Sequence, residues 1–405
     1  MENKTKKKGL VSTCIILVIA LVMATVTGIS FSKKRNFVED IVVGSNVTGT
    51  FKLDEYNENL KGTVGDVDVY VLKGEEAGGS VLILGGTHAN EPAGHMAAIL
   101  ILEQFQVSKG TVYVIPNICQ SGLTHNDPLE GTPQYLHFTT KNGEMRTFHF
   151  GSRASDPIDQ WPDPDTYLHT SGNWTSDKIK EGVKTTQTLS GSEVRNQNRC
   201  YPGIADGTVT ERVSYAVTNM INTLKIDMVI DLHESSPEYA VNNAIVAHQD
   251  ALSMAADTKL ELDGIDISIR VEPSPAGLRG LTHRELGDYT DAYALLCEVG
   301  NPSQGRFRGY TDGTLAISGK DPCYAAAYAI NDGKLLYVDY SSGDFPLALR
   351  VARHVATCAQ LILSMNFEID DAAREVIVDN FEDADMIDEF YNDLVEADDL
   401  GLWLN

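Results

Sequence analysis

Residues 81–92 read Val81-Leu82-Ile83-Leu84-Gly85-Gly86-Thr87-His88-Ala89-Asn90-Glu91-Pro92. Four consecutive apolar residues suit a strand buried on both faces. Two glycines let the backbone turn sharply, and Pro92 suits the first turn of a helix, where its missing N–H costs nothing. Strand, turn and helix in this order are one step of an α/β fold, which builds its sites at the carboxyl ends of strands. His88 and Glu91 stand at such an end, three residues apart, so one turn can aim an imidazole and a carboxylate at a common point.

Two more apolar runs end the same way. Met228-Val229-Ile230-Asp231-Leu232 leads to His233, and Ala294-Leu295-Leu296-Cys297 leads to Glu298. Two histidines and one carboxylate leave the fourth tetrahedral position of a zinc ion open, the pattern of catalytic rather than structural zinc. His88, Glu91 and His233 are therefore candidate ligands of one Zn2+ ion. Glu298 is the candidate general base that takes a proton from water. A lone His-x-x-Glu arises often by chance, and a single histidine at a strand end is usually a hydrogen-bonded residue. Their joint placement at three strand ends carries the reading. The plain alternative for Glu298 is a carboxylate paired with an arginine, but an unpaired acid after so apolar a strand costs stability without a purpose.

Gly85-Gly86-Thr87-His88-Ala89-Asn90-Glu91 resembles the Gly-Gly-Thr-His-Gly-Asn-Glu signature of succinylglutamate desuccinylases and aspartoacylases, within the zinc carboxypeptidase superfamily. Asp231-Leu232-His233 resembles their Asp-x-His ligand motif, and Leu296-Cys297-Glu298 resembles the strand that carries their catalytic glutamate. Asn198-Arg199, within Asn196-Gln197-Asn198-Arg199-Cys200-Tyr201-Pro202-Gly203, resembles the Asp-Leu-Asn-Arg-x-Phe-x-Gly element that grips a substrate carboxylate. The resemblance runs over residues 65–365 with the motifs in the family's order. It implies a three-layer α/β/α fold with a mixed, largely parallel central sheet, and hydrolysis of an amide in an N-acyl amino acid or similar small carboxylate.

Ala89 stands where the family has glycine, at a position that is not a ligand. Asn196 stands where it has aspartate, so any supporting role of that aspartate is lost or altered. A long Gly-, Pro-, Asp- and aromatic-rich stretch between Asn117 and Arg195 has no close counterpart in the short aspartoacylases. Arginine can grip a carboxylate through two parallel hydrogen bonds, which suits Arg199 to recognition. A second cation is expected to stabilise the tetrahedral oxyanion. Arg153 and Arg284 are the candidates. Arg284 precedes Glu298 in the region where related deacylases keep substrate-binding residues, which favours it for substrate contact; Tyr289 is a further hydroxyl donor.

At 405 residues and 42% hydrophobic, the chain can bury a full core. Its net charge of −25 argues against nucleic acid as a partner. Lys4, Lys6, Lys7 and Lys8 precede a charge-free run from Gly9 to Phe31, closed by Lys33, Lys34 and Arg35. That run exceeds the about 20 residues needed to span a bilayer. Its length and basic flanks favour an uncleaved anchor over a signal peptide cut near Val26-Thr27-Gly28. The short basic N-terminus should stay inside, with the catalytic domain outside the cytoplasm. Of six cysteines, Cys14 lies in this run, and no Cys-x-x-Cys spacing marks a structural zinc. Cys119 and Cys200 are the pair to test for a disulfide.

These features divide the chain into a basic N-terminus (1–8), the anchor or signal segment (9–31), a stalk and lead-in (32–64), a zinc hydrolase domain (65–365) and an acidic amphipathic C-terminal segment (366–405). In the last segment Val376, Ile377, Phe381, Ile387, Phe390, Leu394, Leu400, Leu402 and Trp403 are spaced among many acids. A plain solvated tail lacks such residues, so docking on the domain or on a partner and a mobile tail both stay open. Three functions compete: a membrane-anchored zinc deacylase, a zinc carboxypeptidase acting on peptides or cell-wall stem peptides, and a non-catalytic membrane-anchored binding protein. Retention of all three ligands and of Glu298 argues against the last.

Overall fold

The computed structural model describes residues 2–126, 133–161, 173–176, 185–188, 191–330 and 333–405. The chain divides into two units, Met1–Glu39 and Asp40–Asn405. The first is one helix, Glu2–Arg35. Its portion Lys7–Arg35 contains an 18-residue window of mean hydropathy 2.6 and is long and apolar enough to cross a membrane.

The second unit is built on one mixed sheet. Its strands lie in the order Val47–Lys52, Asp68–Lys73, Val107–Ile115, Glu76–Leu84, Met228–Ser235, Tyr293–Gly300, Ala244–Ala247, Arg270–Pro273. The four central strands run parallel. Antiparallel pairs join Val47–Lys52 to Asp68–Lys73, Asp68–Lys73 to Val107–Ile115, and Ala244–Ala247 to Tyr293–Gly300. The architecture is the α/β one expected.

The run Val81-Leu82-Ile83-Leu84 shows why the central strands read as unbroken apolar sequence. Side chains alternate across the pleat. Val81 and Ile83 enter a core shared with helices Pro92–Gln104, Leu252–Gly264 and Leu347–Ile369. Leu82 and Leu84 enter the opposite core, under helix Val209–Leu224. Thr208 and Glu211 close the start of that helix as the expected capping box. The same alternation puts Ile230 and Leu232 in the first core and Val229 in the second, which assigns Asp231 and His233 to the second face. Leu296 and Glu298 share that face, because Leu295 and Cys297 lie in the first core and Ala294 in the second.

The compact unit extends beyond residues 65–365 on both sides, from Asp40 to Asn405. Leu53 and Leu60, placed by sequence in a stalk, are fully buried. Residues 366–405 belong to the same unit. Ile377–Val378 pairs antiparallel with Val107–Ile115, and helix Ala384–Ala397 packs on Leu347–Ile369. Val376, Phe381, Ile387, Leu394, Leu400 and Leu404 are buried in the first core. Asp385, Glu389, Asp393 and Glu396 remain exposed, so the acidic crowding is the wet side of an amphipathic helix. All six cysteines are free thiols, Cys119 and Cys200 among them.

Candidate metal and active site

The turn after Leu84 is shaped by Gly86, whose φ is +63°. A Cβ there would meet Asn117 Oδ1 at 2.8 Å and the Pro116 carbonyl at 2.9 Å. Helix Pro92–Gln104 then begins directly after Glu91, with proline in its first turn. Gly94 lets this helix lie hard against strand Met228–Ser235, since a Cβ would run into the Leu232 carbonyl. That approach carries Glu91 over the end of the strand. Its Oε2 accepts from the Glu234 N–H at 2.9 Å, and its Oε1 accepts from the Gln304 side-chain amide at 3.1 Å.

His88 Nδ1 lies 2.8 Å from Glu91 Oε1, and His233 Nδ1 lies 3.0 Å from Glu91 Oε2. Donor atoms of the three residues all fall within 4.8 Å of one another, and all three side chains are buried. Both imidazoles are held from behind. His88 Nε2 contacts Asn196 Oδ1 at 2.8 Å, and His233 Nε2 contacts Asp231 Oδ2 at 2.7 Å. Asp231 in turn accepts from the Thr87 and Thr282 hydroxyls, each at 2.7 Å. Asn196 thus supports His88 through its amide oxygen.

Asn196 Oδ1 and Asp231 can only accept, so each ring directs its Nε2 proton backward and turns Nδ1 toward Glu91. Nitrogen lone pairs that close to a carboxylate need positive charge between them. The electrostatics agree. Burial alone would lower His233, yet Asp231 and Glu91 hold it well above its ordinary range. Burial alone would raise Glu91, yet His88 and His233 hold it well below the carboxylate range. A proton supplies the missing charge when no metal is bound; a divalent cation would displace it. Two imidazole nitrogens and one carboxylate, each with an outer partner, form a donor set that fits zinc.

Glu298 stands in register with His233 on the neighbouring parallel strand. Its Oε2 is sealed from solvent and has no hydrogen-bond partner among the described residues. Burial pushes its carboxyl up to about 8, with Glu91 and Asp231 adding to the rise and His233 and Arg153 opposing it. A cavity of about 360 Å³ brings His88, Glu91, His233 and Glu298 together with Asn198, Arg199 and Arg153. Asn198 is anchored in place: its Oδ1 accepts from the Thr282 N–H at 2.9 Å, and its Nδ2 lies 3.4 Å from His233 Nε2.

Glu193, a residue the sequence did not single out, lies between the two arginines. It is 3.4 Å from Arg199 Nε and 3.8 Å from Arg153 Nε, and its Oε2 accepts from the Asn196 side-chain amide at 3.1 Å. Arg284, expected as a substrate contact, does not line the cavity. Its guanidinium is buried against Asp288 at 3.0 Å and the Ser274 carbonyl at 3.3 Å. Helix Thr282–Tyr289 gives Thr282 to Asp231 and His283 to the cavity wall, and the following position turns away. Tyr289 ends the same helix and does not line the cavity either. Beneath the site, Glu234 and Arg350 form a fully buried pair at 2.5 Å, and Glu234 also accepts from the Ala93 N–H at 2.8 Å. Nothing local in the sequence links residues that far apart.

No protein-family profile matches the chain, and no curated protein matches it in sequence. Solved structures do. A succinylglutamate desuccinylase/aspartoacylase from Rhodobacter sphaeroides is similar at 13% identity and a TM-score of 0.37, over 74% of this chain and 59% of that one. The product-bound ectoine utilization protein EutE (DoeB) from Ruegeria pomeroyi is similar at 15% identity and a TM-score of 0.40, over 74% and 61%. Tripeptide-bound cell shape determinant Csd4 from Helicobacter pylori is similar at 14% identity and a TM-score of 0.41, over 81% and 60%. The chain therefore spans about three-fifths of the length of these proteins.

Proposed function

We propose that this chain is a zinc-dependent hydrolase that cleaves the amide bond of an N-acyl amino acid or a similar small carboxylate. The observation that carries it is the Glu298 Oε2 atom, sealed from solvent and without a hydrogen-bond partner among the described residues, in one cavity with the His88, Glu91 and His233 donor set. Buried polar atoms are almost always paired, and one left open beside a metal-binding group marks a place where a reacting proton arrives.

His88, Glu91 and His233 would hold the ion. Zinc bound there would polarise the scissile carbonyl and lower the pKa of water toward ~7. Glu298 accepts the proton of the attacking water and returns it to the departing amine nitrogen. Its raised pKa suits a group that must hold a proton between two steps. Arg199 binds the substrate carboxylate, and Asn198, locked by Thr282, fixes the segment that presents it. Arg153 faces the same space and is the candidate to support the developing oxyanion. The N-terminal helix would hold the enzyme at a membrane as an uncleaved anchor, with the catalytic unit outside the cytoplasm.

The test is to assay the purified protein with zinc against N-acyl amino acids and short peptides and to identify the products. Release of a free amino acid from an N-acyl amino acid is the expected result. Cleavage of peptides alone would make the chain a carboxypeptidase, and binding of either without turnover would make it a non-catalytic protein.

A further inference from the structure

Beside Glu298 the cavity is floored by hydrocarbon. Leu296 lies two residues before Glu298 on the same strand, hence on the same face. Val246 lies opposite Leu296 on the adjoining antiparallel strand. Pro275, Leu278 and Leu281 line the cavity from the segment that follows strand Arg270–Pro273. This segment is fastened to the recognition pair. The Tyr201 N–H donates to the Gly280 carbonyl at 3.1 Å, and the Thr282 N–H donates to Asn198 Oδ1 at 2.9 Å. The apolar wall and the carboxylate grip therefore belong to the same end of the cavity.

Resting on the deacylase reading above, we propose that the amino acid released carries one carboxylate, held by Arg199, and an apolar side chain of leucine, methionine or phenylalanine size, seated on Leu296 and Val246. Among the described residues, the only lysine or arginine side chains lining the cavity are Arg199 and Arg153, both within reach of Glu193. A second substrate carboxylate on the apolar floor would be buried without a partner, at a cost of several kcal/mol. A substrate ammonium group there would lie on hydrocarbon, and the acid on the same face, Glu298, is the one assigned to the water proton. His283, which also lines the cavity, supplies no cation: burial, with the charges of His233 and Arg284, lowers it to about 3. Leu278 is 38% exposed and Pro275 is exposed, so a bound hydrocarbon side chain gains from covering them.

The test uses the detergent-solubilised full chain loaded with zinc. N-acetyl-leucine, N-acetyl-methionine and N-acetyl-phenylalanine should exceed N-acetyl-aspartate, N-acetyl-glutamate and N-acetyl-lysine by about 10–100-fold in kcat/KM. Leu278→Arg, a change on an exposed segment, should shrink the ratio of phenylalanine to aspartate substrate at least tenfold, ~1.4 kcal/mol. Calorimetric binding of free L-phenylalanine and L-aspartate to zinc-loaded Glu298→Gln supplies a readout that needs no turnover. Preference for the acidic substrates would overturn the apolar subsite and leave the deacylase standing. Preferred binding of phenylalanine with no hydrolysis of any N-acyl amino acid would keep the subsite and overturn the deacylase. Equal binding of both amino acids would overturn the subsite.

Discussion

Glu298 and His233 face one another in register across two parallel strands, yet no hydrogen bond joins them. His233 is engaged by Asp231 and Glu91, which leaves Glu298 as the acid of the site with an open oxygen.

Glu298→Gln should therefore keep the metal and the fold while turnover falls by about 10²–10⁴-fold. His233→Ala should lose the metal itself, because two remaining ligands hold zinc poorly. Metal content by elemental analysis, measured beside kcat, separates the two variants. Near-normal turnover in Glu298→Gln would sink the mechanism.

Asp231→Asn should weaken zinc binding about 10–100-fold with little change in fold, as loss of an outer hydrogen bond to a metal-ligating histidine does. Competition with a chelator of known affinity reads this directly. An unchanged metal affinity would mean that the 2.7 Å contact to His233 does not tune the ligand.

Arg199→Lys keeps the charge and removes the planar fork, so KM should rise more than kcat falls. Arg284→Ala should behave oppositely. Losing its buried hydrogen bond to Asp288, which keeps Arg279 at 2.7 Å, should destabilise the fold by about 1–3 kcal/mol, while KM of the folded fraction stays put. Denaturant midpoints and KM for both variants make the comparison.

His354 is fully buried on helix Leu347–Ile369, and burial, with His233 adding, lowers it from its ordinary 6.5 to about 3. Between those values the unfolded chain binds a proton that the folded chain refuses. Stability should fall as pH drops below 6.5, and this one group contributes about 2 kcal/mol of loss by pH 5. Urea midpoints of the metal-free protein at pH 7 and pH 5 should lie closer together in His354→Gln than in the unaltered chain, with His283 contributing to the gap that remains. An unchanged pH dependence would remove His354 from the account.

The metal site was legible because its signals are local: a glycine turn, a His-x-x-Glu and two apolar strands that end in polar residues. Strand ends were harder to read. Both Met228–Ser235 and Tyr293–Gly300 continue past the expected stop, since His233 and Glu298 sit inside the ladder with their backbones paired. Glu193 and Arg350 were invisible because their partners lie far away in sequence or in a loop without periodicity. Arg284 misled because a two-turn helix gives no periodic evidence for which way one residue points. Whether the C-terminal segment docks stayed open for another reason. Fourteen acids in residues 366–405 dominate its composition, yet a few apolar residues at helical spacing decide where it packs.

The sheet order also governs when the site can exist. His233 follows Glu91 by 142 positions, Glu298 comes later still, and the partner strand Ile377–Val378 of Val107–Ile115 later than that. Parallel pairings over such separations close slowly, because loop entropy is lost before the contacts reward it. A nascent chain carrying only His88 and Glu91 has no third ligand to offer. On the zinc reading proposed above, metal loading must then wait at least until His233 is made, just past halfway along the unit Asp40–Asn405.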